Sequence, residues 1–176
     1  MMLNVRFDSE KALEAILYVA SKAPIADVYH VGKILYFADR AHLKEYGRML
    51  FGDTYIAMKD GPVASGAFDI IKTARGTASF LPKGLDAETI RKALTVDGYQ
   101  MKTLRPADEN FFSDSDLECI NQALEEYGSK PFGVIRRISH DAIWSSVTEN
   151  KEIPLEVIAK HLDESGKLVS YLRGEG

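Results

Sequence analysis

Residues 32–63 read GKILYFADRAHLKEYGRMLFGDTYIAMKDGPV, and the reading of this stretch decides the fold. At 100° per residue, Val28, Val31, Ile34, Leu35, Ala38 and Ala41 fall on one broad apolar arc, as expected of a helix pressed into a core. Asp27 is placed to cap that helix, and Gly47 suits the left-handed residue that closes one. Asp39 and His42, three apart, fall in or beside the arc, where packing alone asks for carbon. Lys33, Phe37, Arg40 and Lys44 share the opposite side, three cations about one aromatic ring. Beyond Gly47, residues 49–58 read as a hairpin turning at Gly52-Asp53, with Tyr55 and Ala57 on one face and Ile56 and Met58 on the other. Gly61-Pro62 then fits a helix start, because proline at the first helical position forfeits no needed hydrogen bond.

Upstream, Asp8 or Ser9 caps a first helix with Leu13, Ile16, Leu17 and Ala20 in one stripe, and Pro24 ends it at Ala23. Downstream, Val63, Ala67, Ile70, Ile71 and Ala74 give a third helix its buried stripe. Residues 76–86 read as loop, and Asp86 as the cap of a short helix to Ala93. Thr95-Val96-Asp97-Gly98-Tyr99-Gln100 signals a hairpin turning at Asp-Gly, and Pro106 keeps its second strand from continuing. Ser115 with Glu118 has capping-box spacing ahead of Leu117, Ile120 and Leu124, and Tyr127-Gly128 closes that helix. Pro131 starts another, with Phe132, Ile135 and Ile138 inward, Arg136 and Arg137 outward, and Ser139-His140 at its end. Pro154 opens a helix with Leu155, Ile158, Ala159 and Leu162 inward, and Leu168, Val169 and Leu172 give the tail one last turn. With no repeat, linker or shift in composition, residues 1–176 read as one domain. Its expected class is α+β, mainly α, with two small β-hairpins.

Composition narrows the functions. Apolar residues at 45% and charged ones at 27% match globular averages, so disorder is not indicated. A net charge of −4 argues against nucleic acid as the main ligand, though it leaves room for a local basic patch. Cys119, the single cysteine, excludes an internal disulfide and a cysteine-pair zinc site, and it fits a reducing compartment. No apolar run of about 18 residues is present, and MMLNVRFDSE lacks the pattern of a signal peptide, so a cytoplasmic protein without membrane contact is expected. His30, His42, His140 and His161 show no close pair spacing, and phosphate-loop, dinucleotide and GxSxG signatures are missing. Neither metal nor cofactor is therefore expected.

Asp39 and His42 admit two readings. As an acid–base pair, the carboxylate would orient the imidazole in a small hydrolase or nuclease. As architecture, the two would fix the helix against the hairpin, with Asp53 in reach; an unpaired buried polar group costs roughly 1–3 kcal/mol, which favours this second reading. The stripe of Lys33, Phe37, Arg40 and Lys44 is either a solvated face or a partner surface, since aromatic residues and arginine concentrate at binding hot spots. A nucleic-acid-binding repressor using Lys33, Arg40 and Lys44 is a third reading, without the helix-turn-helix spacing or aromatic RNA-binding motif that would support it. Ser139 and His140 point about 100° apart on a helix, which argues against a nucleophile and its base. His140 with Trp144 reads as a core contact.

Lys33-Ile34-Leu35-Tyr36-Phe37-Ala38-Asp39, then His42-Leu43, Tyr46-Gly47-Arg48, Gly52-Asp53, Ala57 and Gly61-Pro62-Val63, resembles the Panacea domain of SocA-like antitoxins. Tyr127-Gly128, Ser139-His140 and Trp144 are similar to that family's closing motif. The resemblance spans about residues 8–162 and leaves 163–176 as a tail. Many members carry Tyr-Gly-Pro-Val followed by Val-Pro, where this chain has Asp60-Gly61-Pro62-Val63 followed by Ala64-Ser65, which suggests a SocA-like branch. The resemblance implies a non-enzymatic bacterial or phage antitoxin, often carried on prophages, that binds and blocks a cognate toxin protein. At least one such protein delivers its toxin to a protease. On this reading Tyr36, Asp39, His42, Tyr46, Gly47, Asp53, Gly61, Pro62, Ser139, His140 and Trp144 are motif residues with structural roles. Lys33, Phe37, Arg40 and Lys44 are then the expected toxin contact.

Overall fold

The computed structural model describes residues 5–77 and 80–175. The first four residues of the amino-terminal reading, two positions of the 76–86 loop and the last residue of the tail lie outside that range. Helix α1 (Ser9–Lys22) is capped by Asp8 and ends at Ala23 before Pro24, as its sequence predicts. Helix α2 (Val28–Tyr46) is the axis of the fold. The Asp27 side chain accepts from the His30 N–H at its start, and Gly47 closes it at φ +71°. The Tyr171 ring packs where a side chain at position 47 would stand.

Strand β1 (Tyr55–Met58) pairs antiparallel with β2 (Gly61–Ala64), and the turn between them is Lys59-Asp60. This corrects the expected turn at Gly52-Asp53 and the expected helix start at Gly61-Pro62. Ala57, opposite Pro62, directs its N–H to the Lys151 carbonyl and accepts from the Asn150 N–H on its other side. Position 62 therefore owes the ladder no N–H, and β2 is an edge strand, where proline is tolerated. Gly61 adopts φ +121°, with the Ser139 Oγ and Lys33 Cε within 2.5 and 2.8 Å of where a Cβ would stand, so conformation and space both demand glycine.

Gly52-Asp53 has another use. The Asp53 carboxylate accepts from the N–H groups of Thr54, Gly66 and Ala67 and so caps α3 (Ser65–Arg75), whose own N-cap, Ala64, has no side chain to do it. Asp53 is therefore a cap, not a partner hydrogen-bonded to Asp39.

Helix α4 (Ala87–Ala93) follows its Asp86 cap, and β3 (Leu94–Asp97) pairs with β4 (Gln100–Thr103). The two turn residues are Gly98, at φ +62°, and Tyr99, one position later than the Asp-Gly reading. Backbone bonds from Val28 N–H to the Tyr99 carbonyl and from Met101 N–H to the Ala26 carbonyl pin this hairpin to the start of α2. Helix α5 (Asp114–Tyr127) opens with a capping box made by Ser113 and Asp116. The expected pair, Ser115 and Glu118, is engaged instead with His42 and Tyr46.

Helix α6 (Phe132–Ser139) buries Ile135, whereas Phe132 and Ile138 are exposed, contrary to the inward stripe expected. Helix α7 (Ala142–Ser145), strand β5 (Glu152–Ile153), helix α8 (Leu155–Leu162) and helix α9 (Lys167–Leu172) complete the chain. The short β5 joins β1 to make a sheet of order β2-β1-β5. Helices make up 56% of the structure beside two small antiparallel sheets, the mainly helical α+β class expected. Among the described residues, no helix is long and apolar enough to cross a membrane.

Helix α5 lies along the side of α2 that the sequence pattern leaves polar. The Phe37 ring stacks on Tyr127 at 3.9 Å between centroids and is buried. Lys33 is only 3% exposed. The stripe is thus not an open face. Of its members only Lys44 is exposed, while Arg40 pairs with Asp141 at 2.8 Å. The three cations consequently offer no common surface to a nucleic acid.

Candidate functional site

The β1–β2 turn is held by side chains from three helices, each donating to one of its backbone carbonyls. The Trp144 Nε1–H donates to Met58 at 2.7 Å, and the His140 Nε2 donates to Lys59 at 2.7 Å. The Tyr29 hydroxyl donates to Asp60 at 3.0 Å, and the Lys33 Nζ donates to Pro62 at 2.7 Å. Arg136 Nε adds a bond to the Asp60 carboxylate at 2.9 Å. The terminal groups of α6 and α7 and the first turns of α2 therefore clamp one hairpin. His140 and Trp144, with rings 4.1 Å apart, form the contact expected of them, but over the hairpin tip. Ser139 is buried and donates to the Arg136 carbonyl, so it is no nucleophile for His140.

Between the clamped hairpin, α2, α3 and the tip of the β3–β4 turn lies a cavity of about 220 Å³ with a largely apolar wall. Val28, Leu35, Met58, Val63, Phe68 and Ile71 supply carbon, and Tyr99 stands at its edge, 72% exposed. Tyr29, another wall residue, packs its ring 4.4 Å from that of Phe132, which is 46% exposed. Lys33 is the buried cation of the wall. Its Nζ sits between the Pro62 carbonyl and the Tyr29 ring, 4.9 Å from the ring centroid. Burial pushes its amine down to about 8, against the opposing pull of Asp60. Burial likewise pushes the Tyr29 phenol up to about 12, so it stays neutral.

Asp39 and His42 are both buried, but they do not bond to each other. Asp39 accepts from the Leu50 N–H and the Tyr55 hydroxyl, each at 2.7 Å, tying α2 to the loop and to β1. His42 donates from Nδ1 to the Arg48 carbonyl at 2.6 Å and accepts at Nε2 from the Ser115 hydroxyl at 2.8 Å, tying α2 to α5. Burial lowers the His42 basicity, in keeping with a neutral ring of that tautomer. The architectural reading of the pair therefore has partners for each group, while the acid–base reading has no hydrogen bond joining them. Tyr46 donates to Glu118, and Tyr36 is enclosed between Phe37 and Tyr55.

Sequence reasoning reached Lys33, Gly61 and Pro62 but not the cavity, whose wall runs from Val28 to Tyr99. The available signal was Tyr99 itself, a large aromatic residue in a hairpin turn where burial is not expected.

Truncating Trp144 to alanine is expected to lower stability by roughly 2 kcal/mol, below the usual figure for a fully buried tryptophan because the ring is only half-buried. Chemical denaturation gives the value directly. A change under about 0.5 kcal/mol, as for an ordinary surface substitution, would show that the clamp on Met58 contributes little.

A family model, Antitoxin SocA-like, Panacea domain, matches residues 31–145, well over half of the chain. No curated protein and no solved structure matches it.

Proposed function

The chain belongs to the SocA-like antitoxin family that carries the Panacea domain, and on that premise we propose that it neutralises a toxin protein by direct binding at the mouth of the cavity. The observation that carries this reading is that two exposed rings border one apolar hollow, Tyr99 on its wall and Phe132 packed on the wall residue Tyr29. The exposed part of a large ring gives the lone chain nothing, whereas fully burying an exposed one in a complex is worth up to roughly 1.5–3 kcal/mol. Cations border the same mouth. Arg75 lies 5.8 Å over Tyr99, and Lys72, paired with Asp69 at 3.2 Å, lies 5.0 Å over the Phe68 ring. An acidic toxin surface fits that border, with association weakened by salt. The four-residue stripe read from the sequence contributes Lys33 to this site, and Phe37 is already occupied by Tyr127.

Inhibition needs only this contact, and delivery of the toxin to a protease would use the same one. The family points to a role without catalysis. The experiment is co-expression with the neighbouring toxic reading frame, scored by rescue of growth, for Tyr99→Ser combined with Phe132→Ser. Both side chains are exposed, so the fold should persist, and circular dichroism checks it. Affinity for the toxin is expected to fall at least tenfold. Full rescue and parental affinity from the folded double variant would place the interface elsewhere.

A further inference from the structure

We propose that the cavity is a binding site for a small apolar monocarboxylate, its carboxylate on the Lys33 ammonium and its hydrocarbon against the wall beyond. This goes further than the toxin-binding reading and is tested apart from it.

Charge comes first. Lys33 is one of the few buried lysines a protein of this size keeps, and an ammonium has three N–H donors. The Pro62 carbonyl takes one of them, and the Tyr29 ring face is a weak second partner. Among the described residues, no carboxylate pairs with it. Asp60, the acid of the cavity wall, is held by Arg136 at 2.9 Å. Lys59 on the same wall adds positive charge, and Tyr29 is neutral. A buried ammonium whose one nearby acid, Asp60, is held by another cation would be stabilised by an anion brought to it.

Space and wall chemistry then select among anions. About 150 Å³ is enough to hold benzene, so about 220 Å³ holds a phenyl or branched aliphatic group with a carboxylate attached. Phosphate would bring two charges to one ammonium and set the rest of its oxygens against carbon. A neutral hydrocarbon would leave the ammonium as it is, and an amine would meet like charge. A single carboxylate on an apolar body satisfies both ends. The lowered basicity of Lys33 still leaves it mostly charged at neutral pH, so binding should weaken above about pH 8.

The test is calorimetric titration of the full chain with phenylacetate and with its neutral counterpart, phenylacetamide. Phenylacetate should bind at least tenfold more tightly at pH 7, and this preference should shrink at pH 9.5. Lys33→Met should remove the preference, and the comparison of acid with amide on the parent protein stands even where that variant folds poorly. N-acetyl-phenylalanine separates two sources of the same chemistry. Binding as tight as that of phenylacetate indicates the carboxyl-terminal residue of a polypeptide, and binding tenfold weaker indicates a free acid. Equal affinity for phenylacetate and phenylacetamide, or no binding of any of these acids by the folded parent, overturns the proposal. Toxin rescue by the Tyr99→Ser, Phe132→Ser variant is a separate readout, so the two readings fail independently.

Discussion

At about pH 4, where the carboxyl is neutral and no charge penalty is relieved, replacing Asp39 with alanine is expected to destabilise the protein by roughly 2–6 kcal/mol, because two buried donors lose their acceptor at once and each stranded donor costs roughly 1–3 kcal/mol. Those donors are the Leu50 N–H and the Tyr55 hydroxyl. Asparagine should behave differently. Its carbonyl still accepts from Leu50, and its amide can donate to the Tyr55 oxygen. Burial pushes the Asp39 carboxyl up to about 6, against the lowering effect of both hydrogen bonds. The folded chain therefore holds this proton more tightly than the unfolded chain. Its contribution is complete below about pH 4 and is lost as pH rises through about 6. Relative to the parent, Asp39→Asn should gain about 2.4 kcal/mol between pH 4 and pH 7, most of what a shift of about two pKa units at about 1.4 kcal/mol each allows. His42, whose lowered basicity works in the opposite direction on acidification, cancels when variant and parent are compared at each pH. Urea melts across that range give the answer. An alanine variant within about 0.5 kcal/mol of the parent would mean that Asp39 is not the tie between α2 and β1.

What the sequence made legible was local. Asp8, Asp27 and Asp86 cap helices where capping chemistry says they should, and Gly47 closes α2 in the left-handed conformation. Val31, Ile34, Leu35 and Ala38 of the apolar arc of α2 are buried as its period predicts, while Val28 and Ala41 at its edges are half-buried. The errors came where distant segments decide. Gly52-Asp53 read as a turn and Gly61-Pro62 as a helix start, and only the pairing of Ala57 with the segment before β5 lets Pro62 stand in a strand. The polar side of α2 looked solvated because α5, which covers it, begins some seventy residues later. Lys33 was read as exposed because a lysine at a helix surface normally carries its ammonium to water. Here the hairpin closes over it. Spacing placed Asp39 near His42, but it could not say that each would be claimed by a different element.

The second large effect runs the other way: Lys33→Met should make the protein more stable at neutral pH. Folding lowers the Lys33 amine from 10.5 to about 8, so the unfolded chain binds this proton more tightly than the folded one. Stability consequently rises with pH between about 8 and 10.5, and below about 8 the full penalty is present. A shift of about 2.5 units corresponds to about 3 kcal/mol. Methionine fills a similar volume without the charge, and it gives up the bond to the Pro62 carbonyl, a loss of about 1 kcal/mol. The net expectation is a gain of about 2 kcal/mol at pH 7 that fades towards pH 10. A lysine kept at a stability cost is the pattern of a residue retained for binding. The melting temperature of Lys33→Met at pH 7 and at pH 10 decides the matter. A variant less stable than the parent at both values would make Lys33 a clamp on β2 and nothing more. Greater stability at pH 7, together with loss of carboxylate binding, is what an anion site built at the expense of the fold requires.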